Sequence, residues 1–352
     1  MPPTANTSVP SAERGVGSAL DPSLIFAKWT GAAGVLLAVS GGPDSLALLL
    51  LASIWSLKGG APMFAATVDH GLRPEAAGEA AYVGTVCDVL GVPHAILTWR
   101  GPHPKTRIQE LAREARYALL SAHAKSIGAD VLMTAHHADD QAETILFRLL
   151  HGSGVAGLAG IREETQSHGL TLARPLLHLR KPDLERVCDD NNVPFICDPS
   201  NKDSQYARTK MRRLTALLEA EGLGPEQWRR FARRMAGADE VLRRAVEDAR
   251  ALIVKETATD RVRLDVQALK GAPVDVLAGV IETEIAAFSP SAEVMRLDRL
   301  ERAARALGEA LDAGVVWKGT LAGTILDLDR SGRLTIRHEG PRQRGRGGHG
   351  GN

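Results

Sequence analysis

Six consecutive residues, Ser40-Gly41-Gly42-Pro43-Asp44-Ser45, have the types and spacing to do phosphate chemistry. They follow a short apolar run at 34–39 and open a helix-like run at 43–57. Glycines let the backbone approach a polyphosphate closely, and free N–H groups at a helix start favour negative charge. Pro43 suits the first helical turn, where its missing N–H costs little. Ser40 and Ser45 can add hydroxyl donors. Asp44 is out of place in an anion site unless it holds a cation, which points to Mg²⁺ shared with the phosphates. The competing reading is a tight strand–helix turn capped by Asp44 or Ser45. No Walker A sequence occurs, which argues against an NTPase that cleaves the γ-phosphate.

A second group runs Thr134-Ala135-His136-His137-Ala138-Asp139-Asp140-Gln141-Ala142-Glu143-Thr144. Its two His and two Asp are either metal ligands or a solvated helix start, where acids suit the dipole. Asp140 and Glu143 are three apart and share a helix face. Two such carboxylates can bind ammonium groups, and one could take the proton of an attacking amine. Alternatively, Glu143 pairs with Arg148 or with solvent. Arg113 and Arg208 could stabilise charge on a transferring phosphoryl group, whereas Arg116 is either a site residue or a surface residue of its helix. Asp69 and His70 close an apolar run and so belong at the site edge. Gly152-Ser153-Gly154 through Gly157 fits G-x-G-x-x-G, but it follows a helix and not a strand, so it reads as a helix-exit loop.

These groups need a scaffold that brings chain ends together. Apolar runs at 34–39, 63–68, 94–98, 131–135 and 170–173 read as strands, and 43–57, 76–90, 106–127 and 138–150 as helices. Short apolar runs alternating with longer helices predict an α/β fold, a doubly wound parallel sheet covered on both faces, with ligands at the carboxyl ends of the strands. After 201 the pattern turns helical (208–219, 225–254, 274–287, 292–311), and strand-like runs return at 314–318, 320–328 and 333–337.

Composition sets the limits. The 352 residues suggest about two domains. Lys+Arg at 43 against Asp+Glu at 42 gives net +1, so a nucleic-acid surface must be a local patch. The candidate patch is Lys202, Arg208, Lys210, Arg212 and Arg213, then Arg229, Arg230, Arg233 and Arg234, interrupted by acids; the bland reading is a solvated helix face. Three cysteines without a C-x-x-C pair disfavour disulfides and cysteine-held metal or iron–sulfur sites, and fit a cytoplasmic setting. The apolar stretch at 46–55 is half of the ~20 residues a membrane span needs. Five Trp, three Tyr and six Phe leave few platforms for stacking bases.

The hexapeptide matches the SGGxDS signature of PP-loop ATP pyrophosphatases. Together with Val68-Asp69-His70-Gly71-Leu72-Arg73, the 134–144 stretch, His151-Gly152-Ser153-Gly154 and Asp198-Pro199-Ser200-Asn201, its order and spacing over roughly 30–220 resemble the tRNA(Ile)-lysidine synthase family. His151 and Thr209 stand where that family usually has a basic residue and Asn. Composition (Pro, Ser, Thr, Ala and Gly at the start, Gly and Arg at the end) predicts disordered tails at 1–20 and 340–352. The resemblance implies a PP-loop catalytic domain over 21–220, a helical tRNA-binding region over 221–312 and a small β-rich segment over 313–339. It implies ATP and Mg²⁺ as cofactors, and L-lysine and a CAU-anticodon tRNA(Ile) as partners, with no membrane or protein partner. The implied reaction joins L-lysine to C2 of the wobble cytidine through an adenylated cytidine, releasing AMP and pyrophosphate. Implied site residues are Ser40, Gly41, Gly42, Pro43, Asp44 and Ser45 for ATP, with Asp44 also on the metal. Asp44, Arg113, His136, Asp140 and Arg208 would be catalytic, Asp140 and Glu143 would bind lysine, and Lys210, Arg212 and Arg213 would bind tRNA. The competing readings are a PP-loop tRNA thiolase, which would need a sulfur-carrying cysteine pair; a small-molecule amidotransferase or NAD synthetase; and a nucleotide-binding module without chemistry.

Overall fold

A computed structural model describes residues 20–71, 75–101, 108–196, 207–289 and 295–339. The tails expected at 1–20 (except Leu20) and 340–352, the Asp198–Asn201 segment and the Arg208 side chain lie outside the described residues. The chain divides into two compact units, Met1–Leu149 with Gly160–Ala232, and Leu150–Ala159 with Arg233–Asn352.

The first unit runs α1 (Pro22–Ile25), β1 (Val35–Ala38), α2 (Pro43–Leu57), β2 (Met63–Asp69), α3 (Ala76–Leu90), β3 (His94–Thr98), α4 (Ile108–Ser126), β4 (Val131–Met133) and α5 (Ala138–Leu150). After α6 (Val155–Leu158), which belongs to the second unit, come β5 (Glu164–Ser167), β6 (Leu170–Ala173), α7 (Lys181–Asp190) and α8 (Ala207–Ala220). The six-stranded sheet has the order β3-β2-β1-β4-β6-β5. β1 pairs in parallel with β2 (Val35↔Met63) and with β4 (Val35↔Val131), and β6 continues in parallel from β4. The chain therefore builds outward from β1 first on one side and then on the other. The carboxyl ends beside β1 are the switch point where such sheets bind ligands.

β1 reads as an unbroken apolar run because both its faces are covered. Val35 and Leu37 pack with Leu46, Leu49 and Val83 of α2 and α3 and with Leu184 of α7. Leu36 turns to the other side, with Leu120 and Ala124 of α4. α2 is buried almost all round, from Leu46 to Ala52, which explains its lack of a polar stripe.

Strand β5 was not expected. Its residues, ETQS, lack apolar alternation, because it is an antiparallel edge strand held by β6 (Gln166↔Thr171). The two are joined at His168-Gly169, both with positive φ (53° and 75°), the geometry of a tight hairpin.

The second unit takes over α9 (Pro225–Ala251) from Arg233 onward. It continues with β7 (Val254–Thr257), β8 (Arg261–Asp265), α10 (Val274–Phe288), α11 (Leu297–Ala313), β9 (Trp317–Leu321), β10 (Thr324–Leu328) and β11 (Arg333–His338). Its sheet is antiparallel, in the order β7-β8-β11-β10-β9. The stretch 221–312 is therefore not wholly helical, because β7 and β8 lie inside it. β7 is exposed along its whole length, so it carries no apolar signal. The strand expected over 320–328 is split by a turn at Ala322-Gly323 (φ 49° and 75°), which makes β9 and β10 a hairpin. One face of the sheet, with Val262, Leu264, Leu326, Leu334 and Ile336, packs on Ile281 and Ile285 of α10 and Leu307 of α11.

Candidate active site

The β1–α2 turn opens onto a cavity of about 530 Å³ at the carboxyl ends of the parallel strands. Ser40, Gly42, Pro43, Asp44 and Ser45 line one side, Arg113, Arg116 and Tyr117 another, and His136, Asp140 and Lys181 a third. Thr67, Val68 and His70 come from the end of β2.

The turn is held in shape by its own side chains. Ser45 Oγ accepts from the Ser40 N–H (3.1 Å) and donates to the Gly42 carbonyl (3.0 Å), so this hydroxyl braces the loop. Ser40 Oγ lies 3.3 Å from Ser45 Oγ. Gly41 has φ +82°, and its carbonyl accepts from the Ile196 N–H at 2.9 Å. A φ in this region strains any residue with a Cβ, and that Cβ would in addition stand 2.7 Å from the end of the Ile196 side chain, so the position favours glycine. Cys188 of α7, wholly buried, donates from Sγ to the Pro43 carbonyl (3.4 Å), and burial pushes its thiol up to about 12, which keeps it inert.

The electrostatic centre is His137, which is 3% exposed. Its Nε2 lies 3.6 Å from Asp44 Oδ2 and 3.5 Å from Asp140 Oδ2, and its Nδ1 lies 3.4 Å from Asp139 Oδ2. Burial opposes a charged ring, but Asp139, Asp44 and Asp140 outweigh it and raise His137 to about 10. The Asp139 N–H also lies 3.3 Å from Nδ1, an approach a protonated ring cannot accept; three carboxylates around one imidazole decide for the imidazolium. Asp139 also accepts from the Lys181 N–H (2.9 Å) and faces Arg180 (3.5 Å), and against its own burial these partners hold it well below the usual carboxylate range.

Asp44 is pushed up by burial and pulled down further by His137, Lys181 and Arg212, so it stays ionised. Lys181 Nζ stands 3.9 Å from its Oδ2. The other oxygen, Oδ1, is buried without a hydrogen-bond partner. An orphaned carboxylate oxygen beside a phosphate-type turn fits a Mg²⁺ site of the kind that uses one carboxylate plus substrate oxygens. Among the described residues there is no group of three or more His, Cys, Asp or Glu that could hold a metal ion by itself.

His136 behaves oppositely to its neighbour. Burial, aided by Arg174, Arg113 and Arg116, lowers it to about 4 against the pull of Asp140, so the ring is neutral at pH 7. Its Nδ1 is 2.9 Å from Thr134 Oγ1. Arg113 rests over Tyr117 at 5.1 Å. Arg174 is buried behind the site and donates to the Arg162 carbonyl (2.7 Å).

Glu143 does not line the cavity. It is 7% exposed, and its partner is neither Arg148 nor solvent but Arg212, whose Nε donates to Oε1 at 2.8 Å. Burial raises the Glu143 carboxyl, with Arg212 pulling the other way. Arg212, expected on the tRNA surface, is thus engaged with Glu143, while Lys210 and Arg213 are exposed on α8. Arg148 donates instead to the Gly160 carbonyl (2.8 Å). The loop at Gly160-Ile161 is pinned by Gln141, whose side-chain amide bonds both the Ile161 N–H and its carbonyl.

Sequence reading missed His137 as a hub, and missed Lys181 entirely. One signal was present: a lysine at the first position of a helix opposes the dipole, so it calls for an anion nearby.

The comparisons with known proteins bear on the family and the fold. Residues 18–218 match the family model described as a PP-loop domain. The chain is 46% identical over 325 residues to the tRNA(Ile)-lysidine synthase of Methylobacterium sp. (strain 4-46), covering 90% of this chain and 93% of that one. It is 40% identical over 335 residues to the tRNA(Ile)-lysidine synthase of Rhodopseudomonas palustris (strain ATCC BAA-98 / CGA009), covering 93% and 96%. Among solved structures, the U34-tRNA thiolase NcsA from Methanococcus maripaludis, with its [4Fe-4S] cluster, aligns with a TM-score of 0.53 at 17% identity, over 61% of this chain and 78% of that one. That likeness is one of fold alone. No helix among the described residues is long and apolar enough to cross a membrane. With a phosphate-type turn on a PP-loop domain and relatives matched over nearly their whole length, the chain belongs to the tRNA(Ile)-lysidine synthase family.

Proposed function

We propose that this enzyme ligates free L-lysine to C2 of the wobble cytidine in a CAU-anticodon tRNA(Ile), consuming ATP and releasing AMP and pyrophosphate. The observation that carries the reading is the Ser40–Ser45 turn opening onto a cavity edged by Arg113, Arg116 and Lys181. ATP lays its phosphates against the start of α2, where backbone N–H groups and the dipole receive them. Asp44 would hold Mg²⁺ through its unpartnered Oδ1; when bound, the ion neutralises phosphate charge. The cytidine O2 attacks the α-phosphorus, the bond to the β-phosphate oxygen breaks, and pyrophosphate leaves. Arg113, Arg116 and Lys181 offset the charge that builds on the phosphoryl oxygens, with Arg208 on α8 as a further candidate.

In the second step the neutral ε-amine of lysine attacks C2 of the adenylated base, and the C2–O bond breaks with AMP as leaving group. Asp140, on the cavity wall, is the candidate anion for lysine's ammonium groups, and Glu143 would join it only when its pair with Arg212 opens, because as it stands it is buried outside the cavity. His136, neutral and on the cavity wall, can accept a proton there. Lys210 and Arg213, exposed on α8 of the first unit, are candidate tRNA contacts, and the second unit is a candidate tRNA-binding region in its own right.

The test is pyrophosphate release with ATP, Mg²⁺, lysine and CAU-anticodon tRNA(Ile), each omitted in turn. Full turnover requires all four. Turnover that persists without lysine or without tRNA contradicts the assignment. The thiolase alternative lacks its cysteine pair, because no C-x-x-C occurs in the chain.

A further inference from the structure

Arg174 directly follows β6, at the carboxyl end of the parallel strands. Its backbone N–H bonds the Glu163 carbonyl at 2.8 Å, and the Ala173 carbonyl accepts from the Thr134 N–H at 3.0 Å. It therefore stands one strand away from the Thr134–His136 end of β4, which walls the cavity, although it does not line the cavity itself. The residue is 8% exposed, a level of burial at which arginine is rarely found without an acid. Its Nη1 donates to neutral acceptors, the Arg162 carbonyl at 2.7 Å and Thr165 Oγ1 of β5 at 3.3 Å. Its Nε is buried with no hydrogen-bond partner.

No carboxylate among the described residues compensates this charge. Glu163 and Glu164, at the start of β5, meet Lys28 at 3.3 and 2.9 Å. Burial first, and Arg113 of α4 after it, work against the Arg174 charge, and only the Tyr117 phenol favours it. Of the acids on the cavity wall, Asp44 and Asp140 face His137 at 3.6 and 3.5 Å; Glu79 of α3 lines the cavity as well, but no acid acts on Arg174. The charge is nevertheless felt at the wall, where Arg174, with Arg113 and Arg116, helps burial to push His136 down. Burying a guanidinium without a counter-charge destabilises the empty fold, and a fold built only for stability would set an acid beside it. The charge that is missing is negative, and the adjoining cavity is the one the Ser40–Ser45 turn shapes for phosphates. Across a buried wall of low dielectric, a fixed charge acts at longer range than in water.

We infer that Arg174 is a positioning residue for the nucleotide: its uncompensated charge, set behind the ends of β4 and β6, holds the phosphates of ATP in the cavity without touching them. This deepens the functional reading above and rests on it for the identity of the anion.

The experiment measures ATP affinity with Mg²⁺ by calorimetry, without tRNA or lysine, beside the melting temperature of each nucleotide-free variant. Thr165→Asp leaves Arg174 in place and sets a carboxylate where Thr165 Oγ1 now meets its guanidinium. The expected result is an ATP affinity about tenfold weaker with an unchanged or higher melting temperature, because the acid satisfies the charge that phosphate would otherwise meet. Arg174→Gln should lose about as much affinity. Arg174→Lys, which keeps the charge, should stay within about threefold of wild type. Thr165→Val, which removes only the neutral hydrogen bond, should bind ATP as the wild type does. An affinity of Thr165→Asp within about twofold of wild type would overturn the inference, whether or not Arg174→Gln folds. So would a melting temperature of Thr165→Asp that falls with its affinity. An equal loss in Thr165→Val or in Arg174→Lys would do the same, because β5 packing or the guanidinium's own hydrogen bonds would then be responsible. Wild-type protein that binds ATP but never joins lysine to tRNA would sink the ligase assignment and leave the role of Arg174 standing.

Discussion

Asp44 on α2 and His137 at the start of α5 face each other across 3.6 Å, and this one contact joins the phosphate-type turn to the second motif of the site. The same imidazolium also serves Asp139 and Asp140. Removing it would leave three carboxylates crowded around a buried space. His137→Gln should therefore lower unfolding free energy by about 3 kcal/mol in urea titrations, the usual cost of breaking a buried pair from one side.

The pH dependence of stability follows from the same group. His137 is raised from 6.5 to about 10 on folding, so its contribution is whole below about 6.5 and is lost as pH climbs through 10. Asp139 is depressed, so its contribution is whole above the ordinary carboxylate pKa and is lost as pH falls through its lower folded value. Denaturant midpoints of the nucleotide-free protein should decline from about pH 6.5 to 10, and the alkaline slope should flatten in His137→Gln. A wild-type midpoint that is flat over that range would show the ring to be neutral.

Two substitutions probe the turn itself. Ser45→Ala removes both hydrogen bonds of the brace and should cost about 1–2 kcal/mol of stability while raising KM for ATP. Gly41→Ala forces a Cβ into the left-handed region and against Ile196, and should abolish ATP binding in calorimetry even where the protein still folds.

Asp44→Asn keeps the shape and removes the charge. Pyrophosphate release should fall by roughly 10²–10³, the scale of losing one electrostatic contributor at a transferring group. Wild-type rates in this variant would remove Asp44 from the metal site.

Glu143→Gln separates the two steps. KM for lysine should rise about tenfold or more, the worth of one charge-assisted hydrogen bond, while single-turnover adenylation without lysine stays at the wild-type rate. Arg212→Met leaves Glu143 buried and unpaired. It should shift the Glu143 carboxyl further upward, visible as a higher acid limb in the lysine-dependent rate.

Much of this site could be read from local sequence. The strand at His94–Thr98 has the predicted bounds, although it is an edge strand without a buried residue. The helix at Pro43–Leu57 has the bounds that its apolar run predicts, because burial almost all round leaves a continuous apolar signal. The turn and the 134–144 motif sit at strand ends for the same reason. What sequence did not disclose depends on distance across the fold. Glu143 meets Arg212 from 69 residues away, and Asp139 meets the Lys181 N–H from 42. Neither pairing leaves a periodicity. β5 and β7 were missed because edge strands with polar or exposed residues carry no alternation; only hydrogen bonding to β6 and β8 defines them.

The central claim is that the cytidine's own oxygen is handed to the α-phosphorus before lysine arrives. Transcribing the tRNA with isotopically labelled oxygen at cytidine O2, and analysing the products of one turnover by mass spectrometry, follows that atom. The account predicts the label in AMP, with unlabelled pyrophosphate and an unlabelled lysidine position. Label retained at the wobble position of the tRNA, with unlabelled AMP, would contradict it.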